Sequence, residues 1–197
     1  MSKELTVALR PAAGAALAQA WVRRAGIVLA GSAFVAVCAH ISLPLNFTPV
    51  PLTLQPFAVL LLGLLMAPRL AAAALGAYLA EGALGLPVFT PAGIGAGGVA
   101  HLLGTTGGYL LSYPIAAFAI SVLYRRMRRS VGAAMLSAAA GDVLILAGGA
   151  LWFGAFSHAS IPFVLTQTVV PFLPGDALKI AAAAGLAAGA ARLRRNR

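Results

Sequence analysis

Residues 171–197 read PFLPGDALKIAAAAGLAAGAARLRRNR, and the fold turns on how that stretch is understood. From Ile180 to Ala191 it is built almost wholly from Ala, Gly, Leu and Ile, the composition of a helix surrounded by lipid. Asp176 and Lys179 stand at its start among apolar neighbours, and arginines close it. A charged side chain at the bilayer centre costs at least ~2.5–3.5 kcal/mol, so acids and bases there face the interior and mark functional sites. Their i, i+3 spacing puts Asp176 and Lys179 on one helix face. The alternative is a self-contained ion pair that only tolerates burial, a role that apolar side chains fill at least as well.

The rest of the chain has the same character. Of its 197 residues 61% are hydrophobic and 9% charged, against roughly 25% charged in a soluble domain. Such a chain cannot clothe itself in charge, so the expectation is an all-α integral membrane bundle, one membrane domain over 1–197. A lone cysteine, Cys38, excludes a disulfide framework and a cysteine metal site.

Thirteen of the fourteen Lys and Arg fall in four places: Lys3, Arg10, Arg23 and Arg24; Arg69; Arg125, Arg126, Arg128 and Arg129; and Arg192, Arg194, Arg195 and Arg197. Each lies at the edge of an apolar run, which marks topology and not a nucleic-acid stripe. The apolar runs predict six membrane segments, about 21–41, 55–67, 69–85, 105–125, 131–156 and 167–191. The second is short beside the ~20 residues that a straight span needs. An even count puts every basic cluster, both termini, the 1–20 segment and the 192–197 tail on the cytoplasmic side of the plasma membrane. Arg23 and Arg24 before an apolar run, with AVCA after it, also fit a cleaved leader. Cleavage would leave five spans and an outside N-terminus, so the uncleaved reading is the expected one.

The three outer connections, about 42–54, 86–104 and 157–166, hold no Lys or Arg. SLPLNFTPVPLTLQPF has four prolines in sixteen residues, so it is expected to be stiff, extended and apolar, a candidate lid. GLPVFTPAGIGAGGVAHLLGTTGGYL is glycine-dense, either a connection between packed helices or backbone that lines a cavity. Glu81, near the outer end of segment three, is either a ligand group or a carboxyl kept neutral by burial. Asp142 is more central and is expected to serve packing. His101 and His158 on outer loops, and His40 at the end of segment one, lack neighbouring ligands, and no metal or other cofactor is expected. No G-x-x-x-x-G-K-[ST], G-x-S-x-G or H-E-x-x-H occurs, so neither nucleotide hydrolysis nor covalent chemistry is expected. Polar groups near the outer face, under a stiff loop, describe a pocket for a small molecule with apolar and hydrogen-bonding parts.

In combination, AHISLPLNFTPVPLTLQPFAVLLLGLLMAPR, GLPVF, GTTGGYL and PFLPGDALK, in this order from Ala39 onward, resemble the BioY family. These are the biotin-specific S components of energy-coupling factor (ECF) transporters. The resemblance implies a six-helix membrane subunit that binds biotin with high affinity. It further implies partnership with a transmembrane coupling protein and two ATPases, although some family members work without a dedicated ATPase module. Asp176 and Lys179 match the family's ligand-contacting acid and base. Thr106, Gly107, Gly108 and Tyr109 in TGGYL match its pocket-lining glycine motif, and Gln55 stands beside the lid. Biotin carries a ureido head with one acceptor and two donors, and a tail ending in carboxylate. Lys179 can donate to the ureido carbonyl while Asp176 accepts from an N–H. The carboxylate is then expected at Thr105, Thr106, Gly107 and Gly108, at a helix start; alternatively Lys179 takes the carboxylate. Thr105 stands where the family usually has proline, and Asp142 where an uncharged residue such as Asn is expected. For the coupling surface, Gly26-x-x-x-Ala30 and Ser32-x-x-x-Ala36 both offer a small-residue face, or ordinary tight packing. Two rivals remain: a solitary ion-coupled carrier, and an intramembrane enzyme using Glu81, Asp142 or Asp176.

Overall fold

A computed structural model describes residues 2–91 and 97–195. In chain order it comprises α1 (Ser2–His40), β1 (Ser42–Leu43), β2 (Leu52–Thr53), α2 (Gln55–Leu65), α3 (Pro68–Ala83), α4 (Val99–Leu102), α5 (Gly107–Arg126), α6 (Val131–Ser157), α7 (Ile161–Thr168) and α8 (Leu173–Arg195). Local chemistry explains the boundaries. Pro68 opens α3 after an extended Ala67, the conformation that a following proline imposes. Ser130 caps α6 by accepting the Ala133 N–H at 3.1 Å. His158 in the left-handed region, φ 52°, ends α6.

Ala15–His40 of α1, α5 and α6 are each long and apolar enough to cross a membrane, and α7 with α8 makes a fourth candidate bent by 48°. At 11 and 16 residues, α2 and α3 are shorter than a straight span needs. All six expected segments are therefore helical, but only three or four meet the length of a crossing.

Two expectations need correction. The fold is not purely α: the proline-rich stretch closes into a small antiparallel hairpin, Ser42 opposite Thr53 and Leu43 opposite Leu52. The sixth segment does not start as one helix at 167. Its outer part is α7, and the chain breaks between Thr168 and Leu173. Pro174 and Gly175 lie in the first turn of α8, where a missing N–H costs nothing. The expected glycine-rich loop falls partly on 92–96, outside the described residues, as do residue 1 and residues 196–197.

Small residues let the helices approach. A Cβ on Gly63 would meet Ile120 at 2.9 Å, and one on Gly31 would meet the Ala74 Cβ at 2.9 Å. One apolar cluster gathers Val35, Leu75, Tyr78, Tyr113 and Phe172. A second gathers Leu60, Ile120, Tyr124, Ala134 and Ala184 toward the opposite end. At that end Arg125 Nε donates to Ser121 Oγ at 3.2 Å, and Ser121 donates to the Met66 carbonyl at 2.6 Å. Arg192 of α8 lines the same cleft as Arg125, Arg128 and Arg129. The arginines of the α5–α6 turn and Arg192 thus collect at one end, and the hairpin and the start of α8 lie at the other.

Candidate functional site

The buried pair that poses the question lies on the first turns of α8. Lys179 Nζ donates to Asp176 Oδ1 at 2.8 Å, with side chains 10% and 4% exposed. It borders a narrow cavity of about 40 Å³, walled mostly by apolar side chains with a few polar groups among them, as small-molecule sites are. The hairpin forms one wall of it through Val50, Pro51 and Thr53. The hairpin is pinned there: Leu54 N–H donates to the Ile41 carbonyl at 3.0 Å, and Thr48 Oγ1 donates to the Gln167 carbonyl of α7 at 2.7 Å. The tip is therefore tied to the same broken span that carries the ion pair.

The remaining walls come from α2, α4, α5 and α6, with Thr90. Gln55 is fixed as a polar hub: its Nε2 donates to Tyr78 Oη at 2.5 Å, while Oε1 accepts from Thr53 Oγ1 at 3.2 Å and Tyr113 Oη at 3.5 Å. Tyr109 Oη donates to the Thr168 carbonyl at 2.5 Å, holding the end of α7 beside the cavity. Leu110, Ile145, Leu146 and Phe172 supply apolar surface.

Two polar atoms in this lining have no partner. Asp142 is 5% exposed and its Oδ1 is unpaired; His101 is 6% exposed and its Nε2 is unpaired. Buried polar atoms are nearly always bonded, so such atoms in a cavity wall mark where a ligand's groups can complete the pairing. The His101 ring stacks on Phe89, centroids 4.9 Å apart at 20°, and Phe89 meets Tyr78 edge-on. Burial pushes the His101 pKa down, so the imidazole stays neutral.

Of the residues singled out from sequence, Asp176, Lys179, Gln55, Thr106 and Tyr109 line the cavity, and Thr105, Gly107, Gly108 and Glu81 do not. Glu81 instead accepts a hydrogen bond from Ser32 Oγ, joining α3 to α1. Gly107 and Gly108 make room for packing: a Cβ on Gly107 would strike the Leu102 carbonyl oxygen, and one on Gly108 would strike Trp152 and the Gly148 carbonyl oxygen. The Gly107 N–H is already bonded to the Gly104 carbonyl at 3.1 Å. The Gly107 N–H is thus taken within the chain, and neither glycine lines the cavity. Ser32 is wholly buried and Ala36 half-buried, whereas Gly26 and Ala30 are exposed, so only the first small-residue pair is open to a partner. Asp142 is a correction of another kind: expected to serve packing, it faces the cavity. The rule that marked Asp176, an acid in an apolar helix, was there to mark Asp142 as well. Tyr113, four residues after Tyr109 on the same helix face, was also legible. The stack that holds His101 was not.

The BioY family profile matches residues 6–196. The chain is 39% identical over 151 residues to a probable biotin transporter BioY of Pyrococcus horikoshii, covering 77% of this chain and 85% of that protein. It is 35% identical over 156 residues to the biotin transporter BioY of Thermotoga maritima, covering 79% and 88%. The fold is similar to the crystal structure of the S-component for biotin from an ECF-type ABC transporter, with a TM-score of 0.79 and 26% identity over 90% of this chain and 93% of that one.

Proposed function

Since the chain belongs to the BioY family and is a multi-pass integral membrane protein of the plasma membrane, we propose that it is the biotin-capturing subunit of a vitamin transporter. Its six helical segments act as six crossings, with α2 and α3 tilted or capped by neighbours, and both termini in the cytoplasm. The observation that carries the reading is the convergence of three ionisable side chains, Asp142, Asp176 and Lys179, on one apolar-walled cavity. Biotin's bicyclic head offers two N–H donors and one carbonyl acceptor. The unpaired Asp142 Oδ1 and the Asp176 carboxylate supply acceptors, and Lys179 supplies a charged donor. Val50, Leu110, Ile145 and Phe172 suit the thioether ring and the alkyl tail. The hairpin acts as the lid on the outer side.

Calorimetric titration of the purified chain with biotin, with desthiobiotin and thiamin as controls, tests this. Tight saturation by biotin at one site and none by thiamin is expected; equal heats for the two sink the proposal. Comparing biotin with biotin amide on Lys179→Ala assigns the lysine. An equal loss for both ligands means that Lys179 reads the ureido head; a loss confined to biotin means that it reads the carboxylate.

Transport is proposed to be energised by separate ATPase subunits through a membrane coupling protein seated on the Gly26 and Ala30 face of α1. Ala30→Trp should then abolish uptake and spare binding. A solitary ion-coupled carrier is the second reading, favoured by the unpaired Asp142 inside the membrane. Uptake by vesicles containing this chain alone, lost when the proton gradient is dissipated, would select it.

A further inference from the structure

At the end of the bundle away from the cavity, the α5–α6 turn and the last turns of α8 enclose a second, wider cleft of about 950 Å³. Its rim carries Arg125, Arg128, Arg129 and Arg192, and its floor is apolar, with Leu64 and the α8 alanines. Among the described residues the one ion pair is Lys179 with Asp176, in the far cavity. Glu81 is bonded to Ser32 and Asp142 lines that far cavity, so neither acid is on this rim. The side chain of Glu4, the remaining acid of the chain, lies outside the described residues. Tyr124 lines the cleft, is 4% exposed, and its hydroxyl has no hydrogen-bond partner. A buried donor without an acceptor beside four arginines is half of a hydrogen-bonded anion site.

We propose that this cleft seats the phosphodiester headgroup of an anionic phospholipid from the inner leaflet. The four arginines sit where α5 and α8 run out, the level of lipid headgroups when the bundle spans the membrane. Guanidinium groups match phosphate oxygens bidentately, and the Tyr124 hydroxyl adds one neutral donor. The apolar floor distinguishes a lipid from a free anion, because only the lipid brings a glycerol and acyl start to cover Leu64 and the α8 alanines. The inference does not depend on what the outer cavity binds.

The test uses the purified full chain in neutral detergent. It is titrated with dihexanoyl-phosphatidylglycerol, with dihexanoyl-phosphatidylcholine, with inorganic phosphate and with a hexaglutamate peptide. Occupancy is read by native mass spectrometry, and the unfolding midpoint is read alongside. One molecule of phosphatidylglycerol should saturate and raise the midpoint, with the other three weaker by at least about tenfold. Each basic residue near such a headgroup contributes on the order of a factor of five, so Arg128→Gln with Arg129→Gln should weaken phosphatidylglycerol roughly tenfold or more. The Lys pair at the same positions should recover part of the loss, and Tyr124→Phe should weaken binding a few-fold. If the Gln pair fails to fold, Tyr124→Phe and Arg192→Gln decide alone. Equal binding of inorganic phosphate makes the cleft a free-anion site. Equal binding of phosphatidylcholine makes it an acyl contact, and stronger binding of hexaglutamate assigns it to an acidic protein partner. Any of these, or unchanged affinity in the variants, overturns the proposal.

Discussion

Neutralising the α8 ion pair separates what it does for the fold from what it does for a ligand. Lys179 and Asp176 are bonded at 2.8 Å with side chains 10% and 4% exposed, so neither charge has water to fall back on. Lys179→Met alone strands a buried carboxylate, which destabilises by about 3–5 kcal/mol. For a chain of this size that lowers the unfolding midpoint by roughly 6–20 °C. Asp176→Leu with Lys179→Met leaves no stranded charge, and apolar replacements of a buried pair are often neutral or stabilising by about 1–4 kcal/mol. The double variant should therefore unfold at or above the parent midpoint. Ligand binding should not recover, because two hydrogen bonds to charged groups are gone. At about 1.5–3 kcal/mol each these amount to roughly 10²–10⁴-fold in biotin affinity. Thermal unfolding in detergent and calorimetry with biotin on the same preparations read both quantities. A double variant as stable as the parent that also binds biotin as tightly would refute the ligand role. A double variant as unstable as the single one would refute the claim that the two charges are each other's main partner.

Gly108→Ala should lower the unfolding midpoint by the equivalent of about 1–3 kcal/mol, since the new methyl meets the Gly148 carbonyl oxygen and Trp152, both on α6. A loss of ligand affinity with no change in the midpoint would instead return Gly108 to the binding site. His101 makes stability pH-dependent. Its folded pKa lies below the ordinary 6.5, so the unfolded chain takes up the proton first. That contribution is fully present above about pH 6.5 and is lost as pH falls toward the folded value. His101→Gln should flatten unfolding midpoints across pH 5–7, and an unchanged slope would show that His101 is not the group responsible.

Much of the architecture was legible because lipid imposes simple demands. An apolar run of Ala, Gly and Leu has to bury its own backbone bonds, so Ile180–Ala191 is helical whatever it packs against. Arginines cannot sit in hydrocarbon, so the runs at 125–129 and 192–197 announced where α5 and α8 leave it. The same reasoning carried Asp176 and Lys179 into the site, because a charge among alanines must find a partner inside.

What the sequence determined by itself is thus the six main apolar segments as helical, the end to which the arginines after α5 and in α8 go, and the buried pair. These follow from each residue's own preference between water and hydrocarbon. The tertiary structure alone decided which polar groups share a cavity. Glu81 and Asp142 are both acids in apolar helices, yet one is bonded to Ser32 and the other faces the empty space with an unpaired oxygen. Gly107 and Gly108 of GTTGGYL lie against Leu102 and Trp152, where a Cβ would not fit. The hairpin reaches α7 through Thr48 and Gln167, 119 positions apart. Such pairings depend on helix rotation and on contacts between distant parts of the chain, and neither is encoded in a single residue's affinity for lipid.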